Sequence, residues 1–262
     1  MTSKPKILVS NDDGVHSEGI KRLAHALRAL GEVIVVAPDG EQNAASHAIT
    51  LHKPLRVTRL ADDVFSTSGT PTDCINLGVI TIMKERPALI VSGINKGENL
   101  ADDVTYSGTV SAAMEGTLLG IPSIAISQAG DGVFRFDAAA DVAVRLAALV
   151  LEHGLPRDTL LNVNVPDLDP SEVRGVKITR LGRRSYDANA IIENLDPRGR
   201  KYYWIGGNRD FGADVEGTDF GAVHAGYVSV SPVHLDLTNY GALDALAAWE
   251  ARLSPPGGRS RG

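Results

Sequence analysis

Two adjacent aspartates, Asp12 and Asp13, stand at the end of a short apolar run and are followed by Gly14. In a parallel α/β sheet, the carboxyl ends of the strands form the edge at which ligands bind. Neighbouring carboxylates at such an edge repel each other and lose solvation unless a proton or a cation neutralises them. The pair therefore predicts a divalent-metal site, although a turn with a helix cap is a simpler interpretation of the same residues.

Amide side chains follow two other predicted strands. Asn43 lies in the small, polar loop of residues 39–46, and Asn95 follows a later buried strand. Since these loops leave the same edge of a parallel sheet, we expect Asp12, Asp13, Asn43 and Asn95 to meet there. Such hard oxygen ligands bind Mg²⁺, Mn²⁺ or Ca²⁺, and two negative charges balance one divalent ion. Each asparagine alone is more often a loop-stabilising amide, so the interpretation depends on all four side chains meeting.

Ser107, Gly108 and Thr109 directly precede a predicted helix. Backbone N–H groups and hydroxyls at a helix N-terminus form a cradle for an anion such as phosphate. Capping of the helix by Ser107 or Thr109 explains the same residues equally well. Asn99 lies in the polar segment before them, where it would either help to hold phosphate or shape the loop.

The remaining reactive side chains give weaker indications of a functional site. Cys74 is the only cysteine and lies on the inner side of a predicted helix, which favours a core position over a catalytic one. The seven histidines show no close zinc-binding spacing, so a zinc site is not expected. His234 and Asp236 would share one face of an extended segment, and they are either a general acid with its partner or a structural pair.

The elements that must position these residues alternate between strand and helix over residues 1–166. Short apolar runs alternate with helical patterns, of which the clearest covers residues 137–153. This alternation predicts an α/β fold with a mostly parallel sheet and helices on both faces.

The pattern changes after residue 166. Glycine, arginine, aspartate and aromatic residues become frequent, and short strand-like runs replace the alternation, at residues 176–181, 201–205 and 223–230. We expect residues 167–253 to form β-hairpin arms and a C-terminal helix that pack against a partner subunit. Residues 254–262 are rich in proline and glycine and predict a disordered tail.

Composition limits the function classes. The chain has 262 residues and a net charge of −6, which argues against binding to a nucleic-acid duplex through a basic face. No apolar stretch approaches the roughly 20 residues that span a bilayer, and the N-terminus lacks the apolar region of a signal peptide. With a single cysteine, a disulfide framework is excluded. We therefore expect a cytoplasmic protein without a membrane partner.

Several ordered motifs resemble those of the SurE survival-protein family, the metal-dependent 5′/3′-nucleotidases. The similarity is carried by residues 10–15, 36–39, 69–74, 92–95 and 106–109, and it continues at residues 210–238. It covers nearly the whole chain. The resemblance implies hydrolysis of nucleoside monophosphates, a Rossmann-like core, and dimers or tetramers built by exchange of C-terminal elements.

The resemblance also implies metal ligands at Asp12, Asp13 and Asn95. A further ligand is implied at one position in the loop of residues 39–46, which follows the second predicted strand and is called the second loop. That position is commonly a serine in the family, whereas here Asn43 takes the matching place and Ser46 lies three residues later. An amide oxygen is also a hard neutral ligand, so we expect Asn43 to replace the serine.

We therefore expect phosphomonoester hydrolysis with one Mg²⁺ or Mn²⁺ ion per subunit. Asp12 and Asp13 would serve catalysis as well as metal binding, with Asp12 orienting or deprotonating water, while residues 107–109 would stabilise phosphate. A phosphatase with an aspartyl-phosphate intermediate usually needs an Asp-x-Asp arrangement, whereas the loop after the first strand offers Asp12-Asp13-Gly14. A non-enzymatic receiver-like signalling module would need an acceptor aspartate where Asn95 stands.

Overall fold

The computed structural model describes residues 4–42, 44–130, 132, 134–183, 191–205 and 215–253. Its strands are β1 (Lys6–Ser10), β2 (Glu32–Pro38), β3 (Val57–Ala61), β4 (Val64–Thr67), β5 (Leu89–Lys96), β6 (Ser123–Gln128), β7 (Thr159–Val165), β8 (Val176–Ile178), β9 (Ile191–Leu195), β10 (Lys201–Ile205) and β11 (Val228–His234). Its α-helices are α1 (Glu18–Leu27), α2 (Pro71–Asn76), α3 (Gly108–Leu118), α4 (Asp137–His153), α5 (Asp219–His224), α6 (Tyr240–Ala247) and α7 (Glu250–Leu253).

The described strands form one large sheet and one separate hairpin. The strand order in the large sheet is β3-β4-β2-β1-β5-β6-β7-β11-β8. The central strands from β4 to β7 are parallel, whereas β3 and β11 run antiparallel to their inner neighbours. The expected α/β fold, with a Rossmann-like and mostly parallel sheet flanked by helices, is confirmed.

The central strands are apolar because helices cover both faces. Ile7 and Val9 of β1 face α1 and α4, while Leu8 faces the opposite layer, which contains Cys74 of α2. All four side chains are fully buried. Each large apolar side chain buried in this way contributes about 1.5–3 kcal/mol, so alternate residues of β1 hold both layers against the sheet. The predicted core position of Cys74 is confirmed.

The helix expected after Thr70 changes its geometry along its length. Thr70 caps α2 by accepting the N–H of Asp73, and the Asp73 side chain accepts the N–H of Thr70. After Asn76 the α-helix continues as a wider π-helix at Leu77–Met83. The element therefore begins where the sequence predicts, since its capping residues are local signals.

Two strands of the C-terminal part join the large sheet, so the expectation that residues after 166 form only hairpin arms is wrong for β8 and β11. β11 pairs with β7 along its whole length and with β8 on its other side. Serines alternate with valines in β11, and the hydroxyls of Ser229 and Ser231 each lie 2.7 Å from that of Thr179. These buried hydroxyls made the strand look like an exposed one in the sequence.

The hairpin of β9 and β10 has no buried residue. Its apolar side chains are exposed, including Tyr203 and Trp204. The C-terminal helix expected at residues 243–253 is instead two short helices, α6 and α7, and α6 has no buried residue either. The expected tail at residues 254–262 lies outside the described residues.

Candidate active site

The site lies at the carboxyl end of β1, where the strand order reverses between β2 and β5. Open α/β sheets bind ligands at this kind of crevice. Asp12 and Asp13 follow β1 directly, and Asn95 lies near the end of the neighbouring β5. Gly14 makes the turn after the aspartates with a φ of 91°, a conformation that favours glycine. The sheet thus brings the predicted carboxylates and the Asn95 loop to one edge.

Asp12 is held against the N-terminus of α3. The Thr109 backbone N–H donates to Asp12 Oδ2 at 3.0 Å, and the Thr109 hydroxyl donates to Asp12 Oδ1. A side chain on Gly108 would put its Cβ 2.8 Å from the Asp12 Cβ, so glycine is needed for this close approach. The positive end of the helix dipole therefore faces a buried carboxylate that is fixed at both oxygens.

The carboxyl groups of Asp12 and Asp13 both have a raised pKa. Burial raises the pKa of Asp12, and its hydrogen bonds with Thr109 oppose this effect. Burial, followed by the charge of Asp12, raises the pKa of Asp13 to about 6, while the N–H of Lys96 at 3.3 Å from Asp13 Oδ2 opposes the rise. Two partly desolvated negative charges side by side create a local potential that favours a cation.

Asn95 directly precedes the residue whose backbone contacts Asp13. Its Nδ2 donates to the carbonyl of Gly97 at 2.9 Å, so Oδ1 lies on the other side of the amide. The following peptide N–H, that of Lys96, donates to Asp13. Asn95 and Asp13 are therefore neighbours across the gap between β1 and β5.

The second loop reaches the site, but Asn43 itself lies outside the described residues. Gln42 donates its N–H to the Asp12 carbonyl at 2.8 Å. Ser46 donates its N–H to the Tyr106 carbonyl at 3.2 Å, and its hydroxyl donates to Thr105 at 3.3 Å. The loop is thus anchored on both sides of position 43, against the residues that flank Asp13 and Ser107.

Ser107 caps α3, because its Oγ accepts the N–H of Val110 at 3.1 Å. Both polar hydrogens of Thr109 are used by Asp12. The structure therefore shows the capping alternative for Ser107 and a carboxylate partner for Thr109. Phosphate contact by Ser107, Gly108 and Thr109 stays a prediction.

Asn99 shapes the polar loop after β5. Its backbone N–H donates to Asn164 Oδ1 at 2.8 Å, and its carbonyl accepts the amide groups of Asn162 and Asn164. Its own Nδ2 donates to Ser127 at 2.7 Å. Sequence reasoning missed this network, although two asparagines at alternate positions of the apolar strand β7 were a visible signal.

Sequence reasoning also missed Asp219, a carboxylate that is 0% exposed. It accepts the backbone N–H groups of Ala101, Gly182 and Phe220 at 2.7–2.9 Å. These bonds tie the loop after β5 to α5, so Asp219 supports the loop that leads to Ser107.

His234 and Asp236 lie away from this site. His234 pairs with Thr159 at the start of β7, which is the opposite edge of the sheet from Asp12. Asp236 accepts hydrogen bonds from the Tyr240 hydroxyl and the Thr238 N–H. Within one chain, His234 and Asp236 therefore lie away from Asp12.

The side chains present fit a hard divalent cation. In the described part of the chain, no three His, Cys, Asp or Glu side chains cluster as a metal site. An ion beside Asp12 and Asp13 would therefore need amide oxygens as well, such as that of Asn95. Carboxylate and amide oxygens are the donors that Mg²⁺, Mn²⁺ and Ca²⁺ prefer.

Comparisons with known proteins give the family. The model of the family described as "Survival protein SurE" matches residues 7–188. The chain belongs to the SurE family. A relative named 5′-nucleotidase SurE from Geobacter sulfurreducens is 57% identical over 251 residues, covering 95% of each chain. Another with the same name from Pelobacter propionicus is 56% identical over 245 residues, covering 93% of this chain and 98% of the relative.

A solved structure supports the same assignment. The crystal structure of the SurE protein from Aquifex aeolicus is 46% identical, with a TM-score of 0.86, and the match covers 94% of this chain and 100% of that chain. The sheet order and the placement of the strand ends described above are therefore those of a SurE fold. Among the described residues, no helix is both long and apolar enough to span a membrane.

Proposed function

We propose that the chain is a divalent-metal-dependent 5′-nucleotidase, which hydrolyses nucleoside 5′- and 3′-monophosphates to nucleoside and phosphate. The observation that carries the proposal is the fixed Asp12 carboxylate on the N-terminus of α3, with Asp13 and Asn95 beside it. Relatives named 5′-nucleotidase SurE support the reaction class. A cytoplasmic location belongs to the same proposal.

Asp12, Asp13, Asn95 and Asn43 would hold one Mg²⁺ or Mn²⁺ ion. When bound, such an ion supplies Lewis-acid polarisation of a phosphoryl oxygen and favours ionisation of water. Asp12 is suited to hold charge in a fixed place because both of its oxygens are already oriented by Thr109. Preorganised charges of this kind need no rearrangement during the reaction.

The carboxylates would also orient the attacking water in line with the phosphorus. Asp12 is only 5% exposed and is hydrogen-bonded at both oxygens, so it would orient water, while the more accessible Asp13 completes the acidic side of the site. The Ser107 hydroxyl and the N-terminus of α3 would face the phosphoryl oxygens. Gly108 and Thr109 would complete this phosphate cradle and would also position Asp12, and Asn99 would hold the loop in shape.

We also propose that residues 167–253 build a dimer or tetramer. The β9–β10 hairpin and α6 each expose large apolar side chains in this single chain, namely Ile191, Ile192, Leu195, Tyr202, Tyr203, Trp204 and Ile205 in the hairpin and Tyr240, Leu243 and Leu246 in α6. Exposed apolar surfaces of this size mark interfaces with a partner. A second copy that exchanges the same elements would bury them on both subunits.

Phosphate release from a panel of nucleoside monophosphates, with Mg²⁺, Mn²⁺ or EDTA, tests the proposed reaction. We expect metal-dependent turnover that EDTA abolishes and that Asp12→Ala lowers by at least 10³-fold, since one substitution removes a metal ligand and the water-orienting group. A folded wild-type protein that binds nucleotide but releases no phosphate with any metal would instead favour the receiver-like binding module.

Metal affinity tests the second-loop ligand separately. Asn43→Ala should weaken Mn²⁺ binding about tenfold or more, because one oxygen ligand is lost. Ser46→Ala is the matched control, since the Ser46 hydroxyl donates to the Thr105 carbonyl. Equal weakening in both variants, or weakening only in Ser46→Ala, would show that the asparagine does not replace the serine of the family.

A further inference from the structure

A cavity of about 380 Å³ lies beside the proposed catalytic site, on the same edge of the sheet. It is lined by the segments that follow β5, β6 and β7 and by the end of α5. Adjacent strands are about 4.8 Å apart, so the end of β7 lies roughly 10 Å from the end of β5. The sugar and base of a nucleotide whose phosphate lies near Asn95 can bridge this span. The volume lies in the range in which proteins bind small molecules.

The cavity has an apolar floor and a polar rim. Leu100, Ala129 and Val223 form the floor, and each is at least nine-tenths buried. The rim carries Glu98 and Asp167. An apolar floor suits the face of a nucleobase, whereas rim carboxylates accept hydrogen bonds from hydroxyl and amino groups.

The two rim carboxylates are positioned by backbone and amide donors. The Gly130 N–H donates to Glu98 Oε2 at 3.3 Å, and Gln128 Nε2 donates to Asp167 Oδ1 at 3.4 Å. A side chain on Gly130 would place its Cβ 2.7 Å from Asp167, and the φ of Gly130 is 118°. Glycine at this position therefore lets both carboxylates approach the same end of the cavity.

We infer that this cavity binds the nucleoside part of the 5′-monophosphate substrates, with Asp167 accepting a hydrogen bond from the ribose 2′-hydroxyl and Glu98 accepting one from the 3′-hydroxyl. The inference rests on the proposed nucleotidase activity and adds how the sugar and base are bound. The rim carboxylates repel a phosphate group, so they also fix the direction of binding, with the phosphate towards Asp12 and Asp13. Asp167 and Glu98 are specificity-determining residues, because they contact the sugar and not the reacting phosphorus.

The test compares Asp167→Ala with Asp169→Ala, which removes another exposed aspartate two residues away that pairs with Arg135. For AMP, Asp167→Ala should raise KM about five- to tenfold with kcat nearly unchanged, because binding to the remote sugar is lost equally in ground and transition states. Hydrolysis of p-nitrophenyl phosphate, which has no sugar, should stay within twofold of wild type. Asp169→Ala should behave as wild type with both substrates.

A substrate change probes the ribose contact directly. Wild type should prefer AMP to 2′-deoxy-AMP by several-fold in kcat/KM, and Asp167→Ala should lose most of this preference, since the two changes remove the same hydrogen bond. An unchanged preference, or an equal loss of activity with AMP and p-nitrophenyl phosphate, would overturn the inference.

Calorimetric titration with adenosine keeps this test independent of turnover. Wild type should bind adenosine, and Asp167→Ala should bind it at least fivefold more weakly. If wild type bound adenosine in this way but released no phosphate from any substrate, the proposed reaction would fail while the nucleoside site stood. If it hydrolysed AMP but adenosine binding was the same in both proteins, only the nucleoside site would fail.

Discussion

At the scale of single residues, the site is defined by how one carboxylate is held. The sequence placed Asp12 and Asp13 correctly at the end of β1, because an apolar run that ends in charged residues predicts a strand end. It did not show that both donors of Thr109 turn to Asp12, since two residues 97 positions apart have no local signal. The role of Thr109 therefore became visible only in the fold.

Thr109→Val tests this positioning role. The variant keeps the backbone N–H of residue 109 but loses the hydroxyl that donates to Asp12. A hydrogen bond to a charged group contributes about 1.5–3 kcal/mol, so we expect Mn²⁺ affinity and kcat/KM for AMP each to fall about ten- to a hundredfold. Thr109→Ser, measured by the same titration, should restore most of the loss. A Val variant with wild-type metal affinity would contradict the positioning role.

Asp13→Asn tests how strongly the buried Asp13 carboxylate and its repulsion by Asp12 destabilise the protein when no metal is bound. Burial and the charge of Asp12 raise the pKa of Asp13 to about 6, above its ordinary 3.8. A carboxyl group with a raised pKa in the folded state destabilises the protein above that pKa, and the penalty fades as the pH falls towards 4. The variant should therefore raise the free energy of unfolding at pH 7.5 by about 1–2 kcal/mol, a range that allows for solvent screening of this partly exposed group.

Urea unfolding of the metal-free protein at pH 7.5 and pH 4 measures this difference. The gain should be present at pH 7.5 and small at pH 4, because Asp13 is protonated there in the folded state and is near its ordinary pKa of 3.8 in the unfolded state. Added Mn²⁺ should stabilise wild type but not the variant, because ligand binding to the folded state raises its stability. A variant that is less stable than wild type at pH 7.5 without metal would contradict the repulsion.

At the scale of elements, the segment that follows the second loop is held by contacts distant from the proposed metal site. His47 Nε2 lies 2.8 Å from Glu115 Oε2 on α3, and Asn76 donates to the other Glu115 oxygen at 2.8 Å. The hydrogen bond with His47 is the main reason that the pKa of Glu115 lies below its ordinary value. Further along, Thr50 donates to Asp73 through both its N–H and its hydroxyl.

His47→Ala should therefore loosen the loop and lower metal affinity. The expected loss of Mn²⁺ affinity is about three- to tenfold, which corresponds to roughly 1 kcal/mol for one partly exposed pair. Hydrogen–deuterium exchange of residues 41–50 should become faster. His52→Ala, an exposed histidine in the same segment, is the control. Unchanged exchange in His47→Ala would show that Thr50 and Asp73 hold the loop alone.

The parallel core could be predicted at this scale, whereas the place of β11 in the large sheet could not, although a strand-like run was expected at residues 223–230. Continuous apolar runs such as those in β1 and β2 identify buried parallel strands. In β11 the buried Ser229 and Ser231 satisfy their hydroxyls with Thr179, so polarity in the sequence did not mean exposure. Alternation of polar and apolar residues identifies the exposed face of a strand only when the polar residues are not buried with hydrogen-bond partners.

At the scale of the whole molecule, the exposed hairpin supports the proposed contact with a partner subunit. Trp204 is 65% exposed and Ile205 is 89% exposed in the single chain. Replacing both with serine should dissociate the oligomer at micromolar concentrations, because apolar anchors dominate most interfaces. Leu149→Ser, which changes an exposed apolar residue on α4, is the control. Sedimentation velocity would show a monomer for the hairpin variant, whereas an unchanged sedimentation coefficient would place the interface elsewhere.

Stoichiometric Mn²⁺ binding tests the central proposal most directly, because it asks whether these oxygens hold an ion before any reaction is considered. Electron paramagnetic resonance of free Mn²⁺, titrated into wild type, Asp13→Asn and Asn95→Ala, gives the number of sites and their affinities. We predict one site per chain in wild type, with affinity reduced at least tenfold in each variant while their folds persist. Wild-type affinity in both variants, or no bound Mn²⁺ in the wild-type protein, would contradict a metal site formed by Asp12, Asp13 and Asn95.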